Sequence, residues 1–263
     1  MSIRVKMDNQ VSQMESLLRN IVWAISKAIG DDVREYLAET HKETNNAITL
    51  MRGDNINTNL RNFVVSDTVE LKKFHRSAWQ GRILIDRENK FTITICTRQT
   101  LDAISRKRNR RIPHYLMSIL HVLNGDLEAP VKQMHLADFY PDEFTVFTDD
   151  EFRDDFEEIM DDEINHDDGY RHGVVVYESQ NMEIDSISFL ILDPDFDTVY
   201  EYSLKEMVKP NFSDLTVEDE SQSRKKDVHS LVSVKAGLSK DKEGQSEKKP
   251  LVSRKKEEVE KQA

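Results

Sequence analysis

The sequence predicts an α+β fold class, with an N-terminal helical pair, an antiparallel β-hairpin and meander, an acidic amphipathic helix and a disordered C-terminal tail. Three observations carry this. Apolar residues recur at spacings of three and four near the N-terminus. The period then switches to two around residues 82–96 and 172–204, and apolar content collapses after about Asn211. With 38% hydrophobic and 33% charged residues in a chain of 263, there is too little apolar material for one core along the whole length. The expected organisation is a helical segment over 1–52, an α+β domain over 53–210 and a charged tail over 211–263.

Val11, Met14, Leu18, Ile21, Ile25 and Ala28 form a helical stripe, and Gly30 is placed to close it in the left-handed conformation that glycine adopts freely. Asp31 and Asp32 suit a second helix N-terminus, followed by a weaker pattern through Val33, Leu37, Ala47, Ile48 and Met51. The stripe is too short for a coiled coil, so the pair is expected to pack on its own domain. Arg82–Asp86 and Phe91–Cys96 flank the four-residue loop Arg87-Glu-Asn-Lys90 and read as a hairpin. Phe91, Ile93 and Ile95 alternate with Thr92, Thr94 and Cys96, which predicts one buried face.

Helical patterns follow over 99–107 and 113–123, with Pro113 suited to a first helical position. Thr148-Asp-Asp-Glu151 is a capping box that opens an acidic amphipathic helix over 149–164, with Phe152, Phe156, Ile159 and Met160 on its apolar stripe. Val174–Tyr177, Ser186–Leu192 and Thr198–Tyr202 read as three strands of an antiparallel meander.

No run approaches the roughly 18 apolar residues of a membrane span, and Met1–Asp8 lacks the apolar centre of a signal peptide, so the chain reads as cytoplasmic. A single cysteine, Cys96, excludes an internal disulfide framework and a multi-cysteine zinc site. The net charge of −12 is unevenly spread. Residues 51–111 hold 14 basic and 6 acidic side chains, whereas 138–168 hold 1 and 15. Such a split fits nucleic-acid contact, an acidic interaction surface, or two segments that neutralise each other in the fold.

The strongest basic cluster is Arg106-Lys107-Arg108-Asn-Arg110-Arg111, with His114 and Tyr115 just beyond. Five cations in six residues can neutralise several phosphates, so residues 98–111 are the expected site for nucleic acid or an acidic partner. Arg82, Lys72, Lys73 and Arg76 extend the patch if the fold gathers them, and a solvated loop is the plain alternative. The acidic run 138–168 reads as a solvated helix face, an internal mate of the basic block, or a docking surface for a basic protein partner, including one that imitates the charge of DNA. Asp193, Asp195 and Asp197 are spaced as at the start of a calcium loop. Thr198 and Leu204 stand where such a loop needs Gly and Glu, so a hairpin turn explains them better.

Asp54 and the tripeptide Glu70-Leu-Lys72, with Phe63-Val-Val65 between them, resemble the PD-(D/E)xK nuclease pattern. That resemblance implies catalytic roles for Asp54, Glu70 and Lys72: the carboxylates would hold Mg²⁺ and the lysine would help activate water. Gly53 stands where that family has Pro, and Glu88-Asn-Lys90 and Glu247-Lys-Lys249 repeat the tripeptide elsewhere in this highly charged chain. A second resemblance rests on Gly81-Arg-Ile-Leu-Ile-Asp86, Cys96 and Pro113-His-Tyr-Leu116. They look like an uncharacterised domain of Gram-positive bacteria and their phages, over roughly residues 79–136, which implies no activity. The expectation is therefore a non-enzymatic binding or regulatory protein without cofactor. A Mg²⁺-dependent nuclease and a DNA-mimic inhibitor are the alternatives.

Overall fold

The computed structural model describes residues 3–41, 43–76, 79–106, 110–132 and 146–209, all within one compact unit, Met1–Pro210. The charged tail expected over 211–263 lies outside the described residues. The chain begins with helices α1 (Ile3–Gln13), α2 (Glu15–Ile29), α3 (Asp31–Glu39) and α4 (Ile48–Phe63), then strands β1 (Val69–Arg76), β2 (Trp79–Asp86) and β3 (Phe91–Thr97). Helices α5 (Arg98–Arg106), α6 (Tyr115–Leu123) and α7 (Asp149–Met160) follow, and then strands β4 (Arg171–Gln180), β5 (Glu183–Leu192) and β6 (Thr198–Ser203). This is the expected α+β class. The boundary expected between residues 52 and 53 falls inside α4, because the N-terminal helices share a core with the sheet.

The six strands form one sheet in the order β1-β2-β3-β4-β5-β6. The antiparallel expectation holds within β1-β2-β3 and within β4-β5-β6, but β3 and β4 run parallel. A parallel pair needs a long crossover, which the segment carrying α5, α6 and α7 supplies. These three helices cover one face, where Ile83 and Ile85 meet Ile119, Phe156 and Ile159, and Val174, Val176, Leu190 and Leu192 meet Leu101, Leu116 and Leu120. Helices α2 and α4 cover the other face, packing Leu18, Ile21, Ile25, Ile56 and Leu60 on Leu84, Phe91, Ile93, Val175 and Phe189. With both faces covered, the single buried face expected for β3 is replaced by two: Thr92 and Thr94 are as buried as Phe91 and Ile93.

Local chemistry explains the element ends. Gly30 closes α2, yet at φ −92° and not in the left-handed region. A Cβ there would approach the Ser26 carbonyl oxygen to 3.2 Å and that of Met182 to 3.4 Å, so close packing, not positive φ, favours glycine. Asn59 of α4 donates to the Ala24 carbonyl at 3.3 Å and to Asp32 Oδ2 at 2.9 Å, tying α4 to α2. The β2–β3 loop is held by Asp86, whose Oδ1 accepts from the backbone of Glu88 and Asn89 at 3.1 Å each. In α6 the cap is His114, whose Nδ1 accepts from Leu116 N–H at 3.2 Å, which moves Pro113 outside the helix.

The capping box at Thr148 and Glu151 is present. Helix α7 stops at Met160, short of residue 164, because Asp161 and Asp162 take left-handed conformations, φ 49° and 62°. The Asp193 carboxylate accepts backbone N–H groups of Asp195, Asp197 and Ala129, which makes 193–197 a carboxylate-stapled turn and not a calcium loop.

Candidate functional site

β2 and β3 separate like the arms of a fork. They pair only at Leu84–Ile93, Ile85–Thr92 and Asp86–Phe91. Beyond that point each stays with its outer neighbour: β2 with β1 as far as Trp79, and β3 with β4 as far as Thr97. The inner edges of 79–83 and 94–97 therefore have no strand partner, and their backbone donors and acceptors are left for other groups. A cavity of about 540 Å³ fills the gap, within the usual size of a small-ligand site. Because the sheet is open there, residues of both faces reach it. Leu84, Ile93, Ile95 and Tyr177 line it from the α4 side, Tyr115 from the α6 side, and α4 contributes Asp54 and Asn57.

The mouth is aromatic. Trp79 is 51% exposed and stacks on Tyr115 at 5.4 Å and 25°, and Phe74 meets both edge-on or tilted at 5.6 and 5.1 Å. Gly81 permits this arrangement, since a Cβ at its position would lie 2.1 Å from the Phe74 ring. Arg82 lines the same cavity from the opposite, α4-facing side of β2; it donates from Nη1 to the Gly81 carbonyl at 2.8 Å, while its Nε is buried without a partner among the described residues. Arg52 Nε, one residue before the cavity-lining Gly53, is likewise buried and unpartnered, and its charge reaches Tyr177. Lys73 pairs across β1–β2 with Arg82 and shares its face.

Burial sets the protonation states. The Cys96 thiol is pushed up to about 12 by burial, with a smaller opposing pull from Arg98, so it stays protonated and is a poor nucleophile. The Tyr115 phenol is raised by burial and then by Cys96, and that of Tyr177 by burial first, so both remain neutral hydrogen-bonding groups.

The nuclease constellation does not assemble. Glu70 and Lys72 lie opposite Ile85 and Ile83 in register, on the face covered by α6 and α7, whereas Asp54 is on α4 across the sheet. Glu70 instead accepts from Arg87 at 2.9 and 3.1 Å, a hydrogen bond that holds its carboxyl below the usual range, and Lys72 pairs with Asp161 at 3.3 Å. These residues do not fit a shared Mg²⁺ site, and no cluster of three metal-ligating side chains occurs among the described residues.

The expected basic patch divides. Lys107 and Arg108 lie outside the described residues, and Arg106 is described only as the end of α5. Arg110 donates to the Ile104 carbonyl at 3.1 Å and Arg111 is exposed, in the segment leading directly to Tyr115 at the cleft. Lys72 and Arg76 are withdrawn into the fold by the acidic run, with Arg76 held by Asp155 and by the Pro113 carbonyl. Arg87 joins Glu163 at 2.6 Å. For these three cations the acidic segment is an internal mate. Residues 138–145 lie outside the described residues.

Sequence reasoning missed Trp79, Gln80, Asn57 and Tyr177 as cleft residues. The only available signal was an exposed-type Trp-Gln-Gly run placed ahead of the apolar Ile83–Ile85 strand.

The chain belongs to a family of unknown function (DUF5986), which matches residues 10–254. No curated protein and no solved structure matches it. Among the described residues, no helix is long and apolar enough to cross a membrane.

Proposed function

We propose that this is a non-enzymatic binding protein whose ligand is nucleic acid, engaged along the basic rim of the cleft between β2 and β3. The observation that carries this reading is Arg82: a guanidinium with a buried N–H that has no partner among the described residues, lining the same open cavity as an exposed tryptophan. An unpartnered buried donor is costly unless a ligand satisfies it, and a phosphate oxygen is the acceptor a guanidinium matches best. Lys73 on the same face and Arg111 in the segment before Tyr115 extend the positive rim. None of Arg52, Lys73, Arg82 or Arg111 forms a salt bridge among the described residues, which leaves them available to phosphates.

The acidic helix acts chiefly inside the molecule in this reading. Asp155 of α7 fixes Arg76, and Asp161, just past its end, pairs with Lys72; together they position the β1–β2 arm that carries Trp79 and Arg82. That use favours an internal restraint over a DNA-mimic surface. A Mg²⁺-dependent nuclease is disfavoured because Asp54 and Glu70 occupy opposite faces.

Fluorescence anisotropy with labelled oligonucleotides, titrated at several salt concentrations, tests the proposal. Binding of the full chain is expected to weaken linearly in log salt, with the slope falling by roughly 0.7–0.9 for each phosphate contact removed. Arg82→Gln and Arg111→Gln should each flatten the slope. No binding at low salt sinks the proposal, and plasmid cleavage in Mg²⁺ that is lost in Glu70→Ala would restore the nuclease.

A further inference from the structure

We infer that the fork between β2 and β3 is a pocket for one unstacked nucleotide: its base lies on Trp79 and its phosphate meets Arg82. The inference rests on the nucleic-acid reading above and adds the form of the ligand. Duplex DNA presents its phosphates outside and hides its base faces, so a cleft that only tracked phosphates would have no use for an exposed ring. Here the ring is held ready. Trp79 is stacked on Tyr115 and buttressed by Phe74, and the absence of a side chain at Gly81 lets Phe74 sit beneath it. Held in this way, Trp79 remains 51% exposed and offers ring surface on which an unpaired base of any sequence can stack.

The cavity behind that ring suits the rest of a nucleotide. Its volume of about 540 Å³ exceeds that needed for a single residue of a strand and is too small for a duplex. Its lining carries an amide at Asn57 and another at Gln80, side chains that can donate and accept along a base edge. The inner edges of β2 and β3 add backbone donors and acceptors that no strand has taken. Arg82, the arginine that lines the cavity, supplies the guanidinium for phosphate. Apolar floor, flat exposed ring, amides and a guanidinium together match a base with its phosphate better than they match either a bare anion or an uncharged apolar molecule.

An unstacked base with a phosphate comes either from a single strand or from a free mononucleotide, and the test separates these. A Trp23→Phe background leaves Trp79 as the one tryptophan, so its fluorescence reports the pocket directly. The full chain is titrated with a single-stranded oligonucleotide, the duplex of the same length, and AMP and CMP. The single strand is expected to quench Trp79 and to bind at least about tenfold more tightly than the duplex at equal salt. Read by the anisotropy of labelled oligonucleotides, Trp79→Ala is expected to remove most of that preference, about five- to a hundred-and-fiftyfold for one stacked base, while Trp79→Phe retains it and controls for folding. Equal binding of single strand and duplex, unchanged in Trp79→Ala, overturns this inference and leaves the nucleic-acid proposal standing. Saturable quenching by a mononucleotide with no oligonucleotide binding upholds the base-and-phosphate pocket and overturns the polymer as its source. Absence of binding in every arm overturns both.

Discussion

The hairpins β2–β3 and β4–β5 belong to one sheet and differ in how far they close. β4 and β5 pair at seven positions from Val174–Leu190 to Gln180–Glu183, with one register shift at Glu178–Ser179, around the two-residue turn Asn181-Met182. Both turn residues have positive φ, 50° and 66°, the conformation whose twist matches that of the strands. β2 and β3 begin from a four-residue loop and stop pairing after three positions. Near its turn each hairpin is paired, β2–β3 with Asp86 and Phe91 buried and β4–β5 with Gln180 and Glu183 exposed. The difference lies at the far end, where β2 follows β1 and β3 follows β4. The lesson is that the closed hairpin contributes core while the open one contributes a site, because its ring, guanidinium and strand edges are not consumed by folding.

Paired glycines provide the sharpest way to break that comparison. A Cβ at Gly173 in the closed half would lie 2.3 Å from the Phe189 ring, and one at Gly81 in the open half 2.1 Å from that of Phe74. The clashes are alike, but the surroundings are not. Phe189 has no exposure and touches Phe91 in the core, whereas Phe74, 4% exposed, packs against the half-exposed Trp79. Overpacking costs most where nothing can yield, so Gly173→Ala is expected to lose about 3 kcal/mol and Gly81→Ala about 1 kcal/mol in urea unfolding. Equal losses would mean the open arm is packed as firmly as the closed one. Gly81→Ala should also perturb Trp79 fluorescence, which Gly173→Ala should leave unchanged.

The closed half further depends on Asn124 at the end of α6. Its amide donates to the carbonyls of His172 and Leu192 at 3.0 and 2.7 Å and accepts from His172 N–H at 2.9 Å, joining β4 to the end of β5. Asn124→Ala leaves three buried backbone groups without that partner, and a loss of about 2 kcal/mol is expected by the same unfolding measurement. A loss below about 0.5 kcal/mol would show that water replaces the amide and that this end is less closed than its geometry indicates.

His172 gives the closed half a pH signature. Its ring is fully buried between Thr92 Oγ1 at 2.7 Å and Thr94 Oγ1 at 3.1 Å, and burial lowers its pKa from 6.5 to about 3. The folded state takes up this proton less readily than the unfolded chain. The stability is therefore fully present above about pH 6.5 and falls as pH drops from there toward 3, by up to about 1.4 kcal/mol per unit. In His172→Gln the stability curve is expected to flatten between pH 6.5 and 5, where the carboxylates have not yet titrated. An unchanged slope in that interval would mean the histidine can be hydrated and protonated in place.

How much of this was legible in the sequence follows from what each feature depends on. The hairpin around Arg87–Lys90, the three C-terminal strands and the capping box at Thr148 are set by neighbours in the chain, and they were readable. Apolar alternation in Phe91–Cys96 is readable too, but it predicts a single buried face, because threonine fits a wet face as well as a buried one; only His172, eighty residues beyond Thr92, makes Thr92 and Thr94 core. The parallel pairing of β3 with β4 leaves no local mark, since it depends on the crossover helices. The Glu70-Leu-Lys72 tripeptide had the right alternation for a site and the wrong face. Register on β1 is fixed by Ile83 and Ile85 across the pair, a constraint that a motif does not contain. The cleft was the least legible of all, because it is a place where pairing stops, and an unmade pairing has no sequence pattern.

Salt offers the finest test of the comparison, since ion pairs hold the two halves unequally. The β1–β2 arm is tied to α7 and the turns after it by Lys72–Asp161, Arg76–Asp155 and Arg87–Glu163, whereas β5 and β6 form no salt bridge among the described residues. The three ties differ in strength. Asp161 is 82% exposed, so its pair with Lys72 is screened and contributes a few tenths of a kcal/mol. Asp155 is only 10% exposed and also accepts from Ser118, so its pair with Arg76 persists better in salt. Raising NaCl from 0.1 to 1 M shortens the screening length from about 10 to 3 Å. Amide hydrogen exchange is then expected to quicken severalfold in β1 and in β2 up to Ile83, while β4 and β5 keep their protection or gain slightly from strengthened apolar burial. Asp155→Asn should reproduce the β1–β2 loosening at low salt and Asp161→Asn should scarcely do so. Loosening spread evenly over all six strands would show that the sheet opens as one unit, and the division into a closed and an open hairpin would then describe geometry without any difference in stability.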